Sequence, residues 1–288
     1  MKKYVYKPIK FYLIAFALTW LFWIFAIIFK DSKFAFLLMF LGLIMPPIVA
    51  MTFVFTSKNE MLKKDFKRKI IGFYRLKPKY TLLAILAFAI VILLSIGTSV
   101  LFGGSTSQFA FTDFSFSIAG SSALLTILLA SIIEELGWRG YGEDAIGSKF
   151  SWFKETIIFG VIWGLWHIPL FFMPGTYHFT LSELGIMYVI NFLVSAIPAN
   201  FLQTWVYVKN NRSMFATMTL HLFFNLGQEK IAMTPETKCI ETIFLIIVSI
   251  IIVLTNKRDA LLSILLMVLL PSATIFGIAL KLLSRSTI

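Results

Sequence analysis

Long apolar runs alternate with short, lysine-rich polar stretches along almost the whole chain. The runs fall at about 9–29, 34–56, 80–102, 119–140, 156–174, 183–208, 213–229 and 239–255, with one more at about 260–283. Each of the first eight reads as a helix able to cross a hydrocarbon core ~30 Å thick. The pattern predicts an all-α integral membrane protein, a polytopic bundle of about eight transmembrane helices. Pro271 breaks the last run, which reads as a ninth crossing or as a re-entrant C-terminal segment. No internal repeat, low-complexity tract or linker divides the chain, so 1–288 reads as a single membrane domain.

The basic residues orient the bundle. Lys2, Lys3, Lys7 and Lys10 precede the first run, and Lys58, Lys63, Lys64, Lys67, Arg68, Lys69, Arg75, Lys77 and Lys79 crowd segment 57–79. Lys149, Lys154, Lys209, Arg212, Lys257 and Arg258 return to the same side, whereas 103–118 has no Lys or Arg. By the positive-inside rule the N-terminus is cytoplasmic, through eight alternating spans. Met1-Lys2-Lys3 leads into the first run without a small-residue cleavage site, as for an uncleaved first span.

Composition agrees. The chain is 59% hydrophobic and 14% charged, with a mean hydropathy of +0.87, too apolar for a soluble globular domain. The net charge of +12 belongs to the loops between spans, so nucleic acid is not the expected partner; the lipid bilayer is. A single cysteine, Cys239, excludes an internal disulfide and a cysteine-based metal cluster. Nothing in the sequence fixes an oligomeric state.

Three polar islands interrupt the apolar runs. Glu134-Glu135-Leu136-Gly137-Trp138-Arg139-Gly140-Tyr141 closes the fourth. Glu135 and Arg139, four residues apart, share a helix face, while Glu134 points about 100° away and is left without that partner. Trp163-Gly164-Leu165-Trp166-His167-Ile168-Pro169 lies in the fifth run. His221-Leu222-Phe223-Phe224-Asn225 lies in the seventh and puts His221 and Asn225 on one face. Each island alone also fits a structural role: a surface ion pair, a buried histidine, or interhelical hydrogen bonding. Together, at about 6, 11 and 8 residues from the cytoplasmic span ends, they sit roughly 9–16 Å deep and predict one cavity in the inner half of the bilayer. Substrate would then come from the cytoplasm or laterally from the inner leaflet. His178, in a short outer loop beside Pro174 and Gly175, reads as a surface residue.

The islands resemble a family. Glu134-Glu135 with Arg139 is similar to the EExxxR motif of the CPBP or Abi family, which includes the type II CAAX prenyl endopeptidases and bacterial proteins linked to bacteriocin processing and self-immunity. The longer string resembles the bacterial branch. The second motif, FxxxH, has Trp163 at its first position here, and His221 to Asn225 resembles the third, HxxxN. Order and spacing agree, and the motif-bearing core covers about 119–230. The resemblance implies an intramembrane endopeptidase that hydrolyses a bond in a membrane-associated peptide or protein.

The residue types fit that chemistry. No serine or cysteine stands in a nucleophile motif such as GxSxG, so an activated water is the expected nucleophile. Glu134 is the expected general base, His167 shares or relays its proton, and His221 and Asn225 face the developing oxyanion. Glu135 and Arg139 support the helix geometry and the local field. A zinc-dependent version would use Glu134, His167 and His221 as ligands with a water in the fourth position; the absence of HExxH favours metal-free catalysis, with no cofactor. A non-catalytic membrane protein acting in immunity by binding is the alternative outside enzymes.

Overall fold

The computed structural model describes residues 4–116, 118 and 122–255, so the run at 260–283 lies outside the described residues. Helix α1 (Pro8–Ile28) opens with a proline in its first turn, where the missing N–H has no partner to lose. Next come α2 (Ala35–Leu43) and α3 (Met45–Phe55), two helices within the second apolar run, separated at Ile44 just before the pair Pro46-Pro47. Helix α4 (Glu60–Ile70) follows, capped by the Asn59 side chain on the Leu62 amide at 3.0 Å. It is short, strongly basic and lies between spans. Helix α5 (Pro78–Leu101) is the third crossing.

Helix α6 (Ala123–Gly137) passes directly into a π-helical turn, Trp138–Gly142, and then α7 (Glu143–Gly147). Helix α8 (Trp152–Trp166) ends at His167 and a 3₁₀ turn, Ile168–Phe172, where Pro169 cannot continue the α-helix. Helix α9 (Tyr177–Leu184) is short; Gly185, at φ 139°, turns the chain into α10 (Ile186–Lys209). Helices α11 (Met214–Lys230) and α12 (Pro235–Thr255) complete the described chain. There is no strand among the described residues beyond the isolated bridge Phe111–Ile231. Among the described residues six spans are long and apolar enough by themselves to cross a membrane; α6 and α11, which carry the first and third polar islands, are not among them. The protein is an all-α polytopic membrane protein.

Two apolar cores flank the polar helices. One joins α1, α2 and α3 to Trp138, Tyr141, Phe159 and Trp166; the other joins α5, α10, α11 and α12. Outward-facing side chains such as Leu13, Leu82, Leu93, Ile243 and Ile250 are apolar and exposed, as lipid contact requires. Gly137 lets α6 approach α3 closely: a Cβ there would sit 2.8 Å from the Pro46 backbone.

Candidate active site

Helices α6, α8 and α11 bring the three islands together on a cavity of about 180 Å³. Glu134, His167, His221 and Asn225 all line it. The rest of the wall is largely apolar, including Trp23, Met39, Leu43, Ile127 and Phe192. A second chamber of about 100 Å³ shares Trp163, Tyr177, Phe192, Asn225 and Gln228 with the first.

The two adjacent glutamates have different partners, as their positions on the helix dictate. Glu135 is fully buried; its Oε1 accepts from Arg139 Nη1 and from His221 Nδ1, each at 3.0 Å. Glu134 faces the cavity, and its Oε2 accepts from the Trp163 indole N–H at 3.0 Å. One carboxylate is thus held by a cation and an imidazole, and the other by a single neutral donor. The offset of about 100° per residue makes this separation.

The histidines can be read from their partners. His167 Nδ1 lies 2.7 Å from the Trp163 carbonyl oxygen, which only accepts, so Nδ1 carries the proton and a neutral ring keeps Nε2 as an acceptor. His221 Nδ1 donates to Glu135, so His221 donates from Nε2 only when the ring carries both protons. Asn225 Nδ2 donates to Ser131 Oγ at 3.2 Å, which fixes the amide and leaves its second N–H available.

Arg139 lies behind this layer and is itself buried. Besides Glu135, its Nε lies 2.8 Å from Glu143 Oε2, its Nη2 donates to Asn200 Oδ1 at 2.8 Å, and its guanidinium stacks over Phe159 at 4.7 Å. Asn200 in turn donates to the Thr156 carbonyl at 2.8 Å, tying α10 to α8. Sequence reasoning missed Glu143 and Asn200. The first was visible as a second spacing of four, Glu135, Arg139, Glu143; the second was one of three amides, with Asn191 and Gln203, in an apolar run.

One expectation needs correction. His178 is no surface residue: its ring stacks on His167 with centroids 5.0 Å apart and an interplanar angle of 19°, and its Nε2 is buried without a hydrogen-bond partner. Lys69, within the basic segment 57–79, is buried, being 1% exposed. Helix α8 begins at Trp152 and α7 ends at Gly147, so His167 and Glu134 lie about 15 and 13 residues, roughly 20 Å, from those helix ends. The cavity wall beyond the motif residues comes from the opposite helix ends, at Thr126, Thr176, His178, Gln228 and Glu229. That end also holds segment 105–112, joined to 230–234 through Thr112 N to Lys230 O at 2.9 Å and Thr234 N to Gln108 Oε1 at 3.0 Å. The cavity therefore extends away from basic helix α4.

The zinc ligand set does not fit. Among the described residues no group of three His, Cys, Asp or Glu side chains is arranged to hold a metal ion, Glu134, His167 and His221 included. Glu134 Oε2 and the two Nδ1 atoms are bonded to Trp163 Nε1, Trp163 O and Glu135, which leaves Glu134 Oε1 and the two Nε2 atoms without a protein partner.

A polytopic helical membrane protein with Glu134, His167, His221 and Asn225 on one cavity and Glu135 and Arg139 behind them defines a narrow class. Residues 116–227 match the family described as Type II CAAX prenyl endopeptidase Rce1-like. The chain is 38% identical over 263 residues to "CAAX prenyl protease 2" of the archaeon Methanococcus maripaludis, covering 90% of this chain and 97% of that protein. The chain belongs to the Rce1-like type II CAAX prenyl endopeptidase family, and it is a membrane protease.

Proposed function

We propose that the protein is an intramembrane endopeptidase in which Glu134 activates a water for attack on a peptide carbonyl. The observation that carries this reading is the division of labour between the glutamates: Glu135 is bound by Arg139 and His221, while Glu134 faces the cavity with one neutral donor. A carboxylate free of an ion pair keeps its basicity, which a general base needs.

In the proposed reaction the water gives a proton to Glu134 as its oxygen bonds to the carbonyl carbon. His167, with Nε2 as acceptor, shares or relays that proton. The oxyanion forms against the free N–H of Asn225 and, in its ion pair with Glu135, against His221 Nε2. Collapse breaks the C–N bond, the proton passes to the leaving amine, and a carboxylate and an amine depart. The steps proposed use no metal.

The substrate class proposed is a peptide held at the membrane by an apolar group. The apolar wall of Trp23, Met39, Leu43 and Ile127 supports it, and the relative's name points to a prenyl chain as that group. Roles in bacteriocin processing or self-immunity and a place in the bacterial branch rest on the motif string alone. The test is cleavage of an internally quenched farnesylated CAAX-type peptide and its unmodified counterpart by the purified protein and by Glu134→Gln. Cleavage of the farnesylated peptide by the wild type and not by Glu134→Gln is expected. Equal turnover by both proteins would overturn the assignment of the base, and equal turnover of both peptides would overturn the substrate class.

A further inference from the structure

Trp163 stands where the motif of this family has phenylalanine, and its position in the site gives the change a chemical content. It lies one turn before His167 on α8, and its ring meets that of His167 edge-on at 5.0 Å and 90°. It also meets His221 at 5.7 Å and 81° and lines both chambers. The indole has a single N–H, and that donor goes to Glu134 Oε2 at 3.0 Å. A phenylalanine would fill much of the same space and leave the carboxylate without this bond.

We propose that Trp163 is a positioning residue for Glu134: its N–H fixes one carboxylate oxygen and so presents the other to the water in the cavity. The inference rests on Glu134 being the base. A carboxylate on a glutamate side chain turns about a broad terminal torsion, so without a bond to one oxygen its lone pairs sample many directions. Hydrogen bonds to an ionised acceptor are shorter and stronger than neutral ones, which suits a single contact to this task. Half-buried and flanked by two imidazoles, the indole is held in place by contacts with His167 and His221, so the bond is supported by the packing of both histidine helices. The same ring thereby couples the base on α6 to the two motif histidines on α8 and α11.

The test separates the ring from its donor. Trp163→Phe removes the N–H and part of the ring; β-(3-benzothienyl)alanine at position 163 keeps the bicyclic shape and replaces N–H with sulfur. Cleavage of the quenched farnesylated peptide is measured for both variants beside wild type and Glu134→Gln. Misplacement of a reacting group by about 1 Å costs on the order of 10²-fold. Both variants are therefore expected to lose about 10–10²-fold in kcat with KM nearly unchanged, the signature of an interaction that acts in the transition state. 5-Fluorotryptophan, which retains the N–H, is expected to keep wild-type kcat. Wild-type kcat in the benzothienyl variant would overturn the proposal and leave Trp163 as packing, even if Trp163→Phe fails to fold. An active Glu134→Gln would instead sink the assignment of the base, so the two failures are distinguishable.

Discussion

The ammonium of Lys69 lies 2.7 Å from the carbonyl oxygen of Gly140, inside the π-helical turn that follows the paired glutamates. It also donates to the Arg139 carbonyl at 3.0 Å and to Asp144 at 2.6 Å, while the Tyr207 hydroxyl donates to the same Arg139 carbonyl at 3.1 Å. A π turn leaves carbonyls offset from the α-helical ladder, and these do not lack partners because α4 supplies a cation. Arg139 is itself a residue of this turn, so the cytoplasmic-type basic helix and the catalytic layer are joined through one lysine. Arg212 pairs with both Asp65 and Asp144 and closes the same cluster.

Lys69→Met is expected to destabilise the protein where its neighbours do not. It strands the Gly140 carbonyl, leaves the Arg139 carbonyl with the Tyr207 hydroxyl alone and removes a cation from Asp144, at about 1–3 kcal/mol for an unsatisfied buried group. Lys67→Met, on the exposed face of α4, should stay within about 0.5 kcal/mol. Thermal unfolding of the purified variants in detergent checks this, and equal melting temperatures would show that Lys69 behaves as one more surface lysine.

Arg139 serves two buried carboxylates, which sets the order of damage. Arg139→Met leaves both Glu135 and Glu143 without their cation, and stranding a buried charge costs about 3–5 kcal/mol. Adding Glu135→Gln should restore part of the folded yield, and adding Glu143→Gln should restore more. Size-exclusion profiles of the single, double and triple variants measure it. Losses that simply accumulate from single to triple would show that these residues are not coupled.

The two stacked histidines should differ in what they lose. His167→Ala is expected to lower kcat by about 10²–10⁴-fold, the usual worth of a positioned acid or base. His178→Phe keeps an aromatic ring on His167 and Phe192 and should remain within about tenfold of wild type. Peptide cleavage by the two variants decides it; a His178→Phe as damaged as His167→Ala would move His178 from packing into the chemistry.

Orientation is open to a direct measurement. Single cysteines at Lys64 in α4 and at Ser105 on the far end of the bundle, in a Cys239→Ser background, are treated on intact cells with an impermeant thiol reagent. Ser105 is expected to react and Lys64 not to react, as the basic-residue distribution requires. Because the cavity extends toward the Ser105 end, that result would also place substrate access away from the cytoplasmic basic face, the reverse of what span lengths alone imply. The opposite labelling pattern would invert the protein and turn the cavity toward the cytoplasm.

The sequence by itself determined the class, an all-α polytopic membrane protein, and picked out the residues of the three islands, because hydropathy, helical period and motif spacing are properties of a local stretch of chain. The pairing of Glu135 with Arg139 was legible for the same reason, being a relation of four residues along one helix. The bond from Trp163 to Glu134, the burial of Lys69, the stack of His178 on His167 and the tie of Arg139 to Asn200 were decided only by the tertiary structure. In a soluble helix, an apolar stripe announces the buried face. Here lipid and protein interior are equally apolar, so hydrophobicity does not tell which side of a span meets its neighbours. That choice falls to close packing, as where Gly137 admits the Pro46 backbone, and to the few polar groups that must find partners across helices.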